Sequence, residues 1–246
     1  MLSDKQQKQS SRRCVPLTFD FQSITFILSL SVQLAVIRFS VAALVAKTNT
    51  SETLSTILTL ETVIQSVEFV WYLVVGVLFL YGFNIRVVFR YIDWVVTTPV
   101  MLVTLLLFLL FLNEPCLKYD AIVEKQENFW VLVIVSVSAD WIMLCLGLYY
   151  ERMSDSKGPL FLLFGTFALL VAFIPHAIVL YEHFSWLGLE ALVVTLVVWA
   201  LYGLVAFVFR KQADEKTKNG CYNVLDIFSK NVAGVIVSVC ALHATC

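Results

Sequence analysis

The chain has 246 residues, of which 60% are hydrophobic and only 14% are charged, and its formal net charge is −1. A soluble domain of this size needs far more charge to cover its surface, so the composition excludes that class and indicates a polytopic membrane protein. The balanced charge gives no indication of nucleic-acid binding. No spacing typical of a metal site, a catalytic nucleophile or a phosphate loop occurs, and we expect no enzyme.

Seven apolar stretches are long enough for a helix to cross a bilayer, which takes about 20 residues. They predict an all-α bundle of seven transmembrane helices, called the first to the seventh span, over Leu17–Ala46, Leu54–Tyr81, Val87–Leu112, Asn128–Tyr150, Pro159–Leu180, Trp186–Phe209 and Tyr222–Ala244. Residues 1–16 are predicted to form a polar N-terminal tail, and residues 17–246 a single seven-helix domain. The longest connection is the polar stretch Asn113–Glu127.

The second span carries polar side chains along one face. Glu61 and Glu68 are seven residues apart, and Gln65 lies between them on the same stripe. Glutamates within apolar segments are costly and tend to mark ion or proton pathways. A seam of carboxylates and amides of this kind could become hydrated and pass cations. A neutral, hydrogen-bonded and purely structural role for each glutamate stays open as the alternative.

The third and seventh spans place further charges in the apolar interior. Arg90 precedes Asp93 by three residues, and Asp226 precedes Lys230 by four, so each pair lies on one helical face. A lysine in mid-membrane costs about 3 kcal/mol on insertion scales, and such a residue indicates a functional site. Four unrelated structural charges in one bundle would be a heavy energetic cost, so we expect these residues to act together.

These segments resemble helices C and G of the microbial (type I) rhodopsins, and the resemblance extends over essentially the whole chain. It implies a seven-helix fold, a light-driven function and all-trans retinal bound covalently to Lys230 as a protonated Schiff base. It also implies that Asp93 and Asp226 are the counterions, with Asp93 as the proton acceptor. Arg90 and Tyr72 match further members of this charge cluster.

The resemblance also implies the walls of the retinal pocket. Eight residues from four spans match positions that contact the ring or the polyene: Trp94, Thr98, Met101, Met143, Gly147, Thr166, Trp199 and Tyr202. Thr98 and Asp140 match a hydrogen-bonded pair that links the third and fourth helices. Gly203 departs from the pattern, because bacteriorhodopsin has a helix-kinking proline there. For any single aromatic residue, simple helix packing remains the alternative.

The spacing on the third span bears on the kind of light-driven function. Pumps of the family carry an acceptor and a donor carboxylate eleven residues apart on this helix. Here Asp93 is followed at that spacing by Thr104, and a threonine cannot return a proton to a Schiff base. An efficient outward proton pump is therefore disfavoured.

The second and seventh spans are similar to those of algal channelrhodopsins. Glu61 and Glu68 match two glutamates of the second helix, and Asn231 matches the asparagine that is paired with a gate glutamate, here Glu68. The resemblance implies an ion pathway formed by Glu61, Gln65, Glu68, Asn231, Thr97 and Thr104. It favours a light-gated channel for monovalent cations or protons. The compact length resembles rhodopsins encoded by large algal viruses.

Two other functions stay open. Glu61 is expected near Thr104 and could be a substitute donor, which would restore an outward light-driven proton pump. A sensory photoreceptor is the second alternative, although it would need a transducer-facing patch that a sequence does not show. In each case we expect a homo-oligomer surrounded by membrane lipids, in the plasma membrane or, as the alternative, an internal membrane.

The family and the charge distribution predict opposite orientations. The family places its amino terminus outside, and eleven of the 17 Lys and Arg residues would then lie in outer segments and three in inner ones. The positive-inside rule argues for the reverse. We keep the family orientation, because that rule has exceptions and the motif match is specific.

Overall fold

A computed structural model of the chain describes residues 20–46, 51–81, 83, 86–152, 157–210 and 215–243, and the predicted N-terminal tail lies outside them. The elements of this part are α1 (Phe21–Ala46), α2 (Glu52–Leu80), a 3-10 turn (Val87–Phe89), α3 (Arg90–Asn113), α4 (Tyr119–Lys125), α5 (Phe129–Arg152), α6 (Gly158–Glu182), α7 (Trp186–Val208), α8 (Glu215–Asp226), a π-helical turn (Ile227–Asn231) and α9 (Val232–His243). Seven helical stretches are long and apolar enough to cross a bilayer. The protein is therefore an integral multi-pass membrane protein with an all-α seven-helix fold.

Most predicted ends of the spans lie within two residues of the ends of the described helices. The start of the seventh span was predicted wrongly, because its helix begins at Glu215 rather than at Tyr222. The first turns are polar, so hydropathy does not reveal them. They are nevertheless helical and partly buried, since Lys218 pairs with Glu151 at 2.5 Å and Asn219 accepts a hydrogen bond from Arg90. The long polar connection likewise contains a helix, α4.

α3 is the central helix of the bundle. In the most apolar 18-residue stretch of this span, 67% of the residues are buried inside the bundle, compared with 17% for α7. Pro99 lies inside α3 and has no N–H to donate to the carbonyl of Val95. The indole of Trp141 on α5 donates to that carbonyl at 3.2 Å instead. This contact attaches α5 to the part of α3 that carries the predicted site.

The seventh span changes its helical form at the lysine. α8 ends at Asp226, residues Ile227–Asn231 form a π-helical turn, and α9 continues from Val232. A π turn holds more residues than an α turn, so Asp226 and Lys230 do not lie above one another as four-residue spacing predicts. This turn decides which carboxylates can reach the lysine.

Candidate functional site

Lys230 lies in the middle of the bundle and is 2% exposed. Its Nζ lies 2.6 Å from Asp93 Oδ2 on α3 and 3.5 Å from Glu68 Oε1 on α2. Both carboxylates are buried. Buried charges are tolerated where they are paired and hydrogen-bonded, which the Asp93 contact provides. The fold thus brings the lysine to acids from two other spans.

Asp226 has different partners. Its Oδ2 accepts hydrogen bonds from the Tyr72 hydroxyl at 2.5 Å and from Arg90 Nη1 at 2.8 Å. Its Oδ1 accepts one from the Tyr202 hydroxyl at 2.7 Å. Two phenols and a guanidinium therefore satisfy this buried carboxylate.

The acids beside the lysine are Asp93 and Glu68, whereas Asp93 and Asp226 were expected. Among the described residues, Lys230 forms ion pairs with Asp93 and Glu68, and none with Asp226. Because the π turn shifts Lys230 relative to Asp226, the second carboxylate at the ammonium comes from α2. Sequence reasoning assigned Glu68 to an ion gate and did not place it here. The glutamate stripe was visible, but no sequence signal reports its distance from the lysine.

Arg90 joins α3 to the polar start of the seventh span. Its Nε donates to Asn219 Oδ1 at 3.2 Å, and its Nη2 donates to the Asn219 carbonyl at 3.0 Å and to Asn223 Oδ1. The guanidinium also lies 5.7 Å from the ring centres of Tyr72 and Tyr222. The planar fork of arginine suits this arrangement, because its five donors can serve several acceptors at once.

We expect Asp226→Asn to lower the free energy of unfolding by about 3–5 kcal/mol, because it leaves the largely buried Arg90 cation without its ion-pair partner. The measurement is denaturant unfolding followed by helical circular dichroism in detergent. Asp20→Asn is the control, since it breaks the 2.9 Å pair with the exposed Lys216 and should change the free energy by only about 0–1 kcal/mol. Equal losses in the two variants would contradict the assignment.

A cavity of about 390 Å³ lies beside Lys230 between α3, α5, α6 and α7. This volume lies within the range of about 300–1,000 Å³ that is typical of small-molecule sites. The lining includes Lys230 and all eight residues predicted for the pocket wall: Trp94, Thr98, Met101, Met143, Gly147, Thr166, Trp199 and Tyr202. Tyr91 and Tyr222 also line it and were missed. They lie one helical turn before Trp94 and Asp226, so periodicity could have found them.

Aromatic side chains give the cavity wall its shape. The Trp94 ring meets Tyr202 and Tyr222 edge to face, with centroids 5.2 Å and 5.5 Å apart. Such edge-to-face pairs favour one fixed orientation of the rings. A Cβ at Gly147 would lie 2.9 Å from the Tyr91 hydroxyl, so a larger residue at this position would displace the Tyr91 side chain.

The threonines of α3 have separate roles. The Thr98 hydroxyl lies 2.7 Å from Asp140 Oδ2, so the structure joins α3 to α5 at the predicted pair. The Thr97 hydroxyl donates within its own helix, to the Asp93 carbonyl at 3.1 Å. The Thr104 hydroxyl donates to Glu61 Oε1 on α2 at 2.7 Å. Thr104 occupies the position of the proton donor in the pumps, and it therefore lies next to a carboxyl group.

The expected pairing of Asn231 with Glu68 is not formed. Both Glu68 carboxylate oxygens and Asn231 Oδ1 lack hydrogen-bond partners, and Asn231 Nδ2 donates to the Asp226 carbonyl at 3.5 Å. The π turn directs Asn231 to its own helix. At this level Gln65 provides a hydrogen bond from α2 to the seventh span instead, because its Nε2 donates to the Lys230 carbonyl at 2.7 Å.

The sequence model of the bacteriorhodopsin-like protein family matches residues 21–244. The chain belongs to this family, the microbial rhodopsins. The family binds retinal covalently through a Schiff base to a lysine, so this rhodopsin is a retinal protein. Its members are light-driven pumps, channels or sensors, and it is therefore not an enzyme.

Solved structures share the fold of this rhodopsin at low sequence identity. A blue light-absorbing proteorhodopsin from Med12 is 23% identical, with 91% of this chain and 98% of that chain covered and a TM-score of 0.68. Xanthorhodopsin, a light-driven ion pump with dual chromophore, is 16% identical, with 92% of this chain and 95% of that chain covered and a TM-score of 0.72. Halorhodopsin, a light-driven chloride pump, is 17% identical, with 91% of this chain and 96% of that chain covered and a TM-score of 0.69. No curated protein sequence matches the chain.

The residues of the cavity fit retinal. Lys230 is the one lysine of the described chain that lines the cavity, and its amine has a carboxylate 2.6 Å away that can balance a protonated Schiff base. The rest of the wall is largely aromatic and aliphatic, as a polyene requires.

Proposed function

We propose that this rhodopsin is a light-gated cation channel, with retinal attached to Lys230 and Asp93 as the proton acceptor. Bound retinal would supply light absorption and isomerisation of its polyene. The observation that carries the proposal is a set of buried amide and carboxylate oxygens on α1, α2 and the seventh span that accept no hydrogen bond from another protein group. We call this set the polar seam; its members are Gln33, Glu61, Gln65, Glu68 and Asn231, of which Glu61 is bonded to Thr104 through its other oxygen.

The polar seam lies where α1, α2 and α9 approach one another. A Cβ at Gly234 of α9 would lie 3.1 Å from Val36 on α1 and 3.2 Å from Gln65 on α2. Gln33 is one turn before Val36, and its amide oxygen is unpartnered. The contact region of the three helices therefore contains amide side chains of α1 and α2 as well as apolar ones.

Unpartnered buried oxygens are unusual, because most buried polar groups have a hydrogen-bond partner. Oxygen atoms along a pathway can replace the hydration shell of a passing cation, and carboxylates favour cations over anions. The polar seam supplies carboxylate and amide oxygens of this kind. A cation pathway accounts for the type of these oxygens and for their burial on neighbouring helices.

Proton transfer at the lysine would change the charges beside the polar seam. The proton on Lys230 Nζ passes to Asp93 Oδ2, which lies 2.6 Å away. This step removes the ion pair, and Glu68, 3.5 Å from Nζ, loses its cationic neighbour. Glu68 then reorients within the polar seam, away from Lys230, the seam becomes hydrated, and cations move down their electrochemical gradient.

The test is whole-cell voltage clamp of retinal-loaded cells under brief flashes. A channel gives a photocurrent that reverses sign at a potential set by the cation gradient. A current of one sign at every voltage would mean a pump. The absence of current from a pigment verified at the cell surface would overturn both forms of ion transport and favour a sensor.

Glu68→Gln should change the closing rate of the photocurrent by about tenfold, which corresponds to about 1.4 kcal/mol in the barrier. The reason is that Glu68 is the carboxylate nearest to Lys230 after Asp93. Glu52→Gln is the matched control, because Glu52 is an exposed glutamate at the start of the same helix. Unchanged conductance, ion selectivity and kinetics in Glu68→Gln would remove the main support for this gate.

A proton pump is the second candidate, and the 2.7 Å bond between Thr104 and Glu61 favours it. Glu61 is buried and could return a proton to the lysine site in place of a donor on α3. The xanthorhodopsin and halorhodopsin structures are described as those of light-driven ion pumps. In a pump, Glu61→Gln should strongly reduce the stationary one-sign current, whereas in a channel the reversal potential should persist.

A further inference from the structure

The cavity beside Lys230 reaches the lipid-facing surface between α6 and α7. Four of its lining residues are exposed, with Thr166 on α6 and Ala200, Leu204 and Phe207 on α7. Leu204 is 53% exposed and Phe207 is 59% exposed. Both lie within a membrane span, with Phe207 one residue before its end, so the surface they expose faces lipid. The cavity is therefore continuous with the bilayer on this side.

Gly203 keeps this side open. A Cβ at Gly203 would meet no heavy atom within 4 Å, although the residue lines the cavity. The α5 side of α6 is closer packed, since a Cβ at Gly165 would lie 3.7 Å from Leu146. The space between α6 and α7 therefore depends on the missing side chain of Gly203.

In the described part of the chain, the two ends of the bundle offer no comparable route to an apolar molecule. Towards α8, passage would require separation of the ion pair between the largely buried Arg90 and the fully buried Asp226, together with its hydrogen bonds, which is costly in a low-dielectric interior. Towards the opposite end, α3 contributes a packed core in which Leu102, Leu106 and Leu107 are about 1% exposed. Close-packed cores have few voids that would admit a large ligand. The gap between α6 and α7 presents mainly apolar side chains.

We propose that this gap is a lateral portal, formed by Thr166, Ala200, Gly203, Leu204 and Phe207, through which retinal enters from the bilayer. Retinal is an apolar aldehyde and dissolves in the hydrocarbon interior. Its carbonyl carbon then forms a C=N bond with Lys230 Nζ, and the carbonyl oxygen leaves as water with two protons of the ammonium group. The proposal rests on the attachment to Lys230 in the proposed function and is independent of channel activity.

The test follows pigment formation after all-trans retinal is added to lipid vesicles that hold the retinal-free protein. Gly203→Trp should slow the rise of visible absorption by about tenfold or more, a barrier increase of about 1.4 kcal/mol. Phe207→Ala should accelerate it and leave the final absorption maximum unchanged. Val194→Trp is the control, because Val194 is 58% exposed and nine residues from Gly203, on the opposite face of α7.

The two main variants act in opposite directions and keep the test decisive. If Gly203→Trp does not fold, acceleration in Phe207→Ala supports the portal and an unchanged rate overturns it. Equal slowing in Val194→Trp and Gly203→Trp would also overturn it, since the effect would then not depend on the gap. If the unaltered protein forms no pigment, the attachment to Lys230 and the portal both fail. Normal pigment with unchanged rates overturns the portal alone.

Discussion

A Lys230→Ala variant should form no visible pigment at any concentration of added retinal. The reason is chemical, because alanine has no amine to form the Schiff base and no other described lysine lines the cavity. The measurement is the visible absorption spectrum, followed by borohydride reduction and mass spectrometry to locate the retinyl group. The unaltered protein should carry that group on the peptide that contains Lys230.

Lys216→Ala is the control for this experiment. Lys216 lies on α8 of the same span, is largely exposed, and pairs with Asp20 at 2.9 Å, so its loss should cost only about 0–1 kcal/mol. It should form pigment normally. Removal of Lys230 leaves Asp93 and Glu68 without their cation, so helical circular dichroism must show that the variant is folded. A folded Lys230→Ala protein that bound retinal covalently would contradict the assignment.

Asp93→Asn should move the absorption maximum to longer wavelength, and by more than Glu68→Gln does. A carboxylate near the protonated nitrogen stabilises its positive charge in the ground state, and excitation moves that charge away along the polyene. Removal of the carboxylate therefore lowers the excitation energy. Two unit charges about 4 Å apart interact by about 4 kcal/mol at an effective dielectric constant of about 20, which sets the scale of the shift.

The two distances to Lys230 Nζ set the order of these shifts. Asp93 Oδ2 is at 2.6 Å and forms a hydrogen bond, whereas Glu68 Oε1 is at 3.5 Å. Asp140→Asn is the matched control, because Asp140 is a buried aspartate that is bonded to Thr98 rather than to the lysine. Its shift should be the smallest of the three. A larger shift in Glu68→Gln than in Asp93→Asn would reverse the assignment of the acceptor.

The positions of the membrane spans were predictable because the bilayer imposes length and apolarity on each helix. The exception is instructive. The helix of the seventh span begins in a polar segment in which Lys218 is buried against Glu151, a residue 67 positions earlier in the chain. Hydropathy treats each residue as facing lipid or water. It cannot register a polar residue whose partner is another helix.

The lysine, its Asp93 partner and the predicted cavity residues follow from a motif in which residue type and spacing are both specific. The position of Glu68 beside Lys230 does not follow, because the π turn alters the direction of the lysine by a fraction of a turn. The opening at Gly203 was also outside the reach of sequence, since it depends on the distance between α6 and α7. Both features depend on contacts between helices, which residue spacing within one helix does not predict.

The hydrogen bond from Gln65 to the Lys230 carbonyl has a mechanical consequence. Gln65 holds the peptide backbone of the lysine rather than its charged end, and it is fully buried, so it cannot yield towards solvent. Any displacement of the seventh span at that peptide pulls directly on α2. Isomerisation of retinal on Lys230 would thus displace α2 through this hydrogen bond, before any proton is transferred.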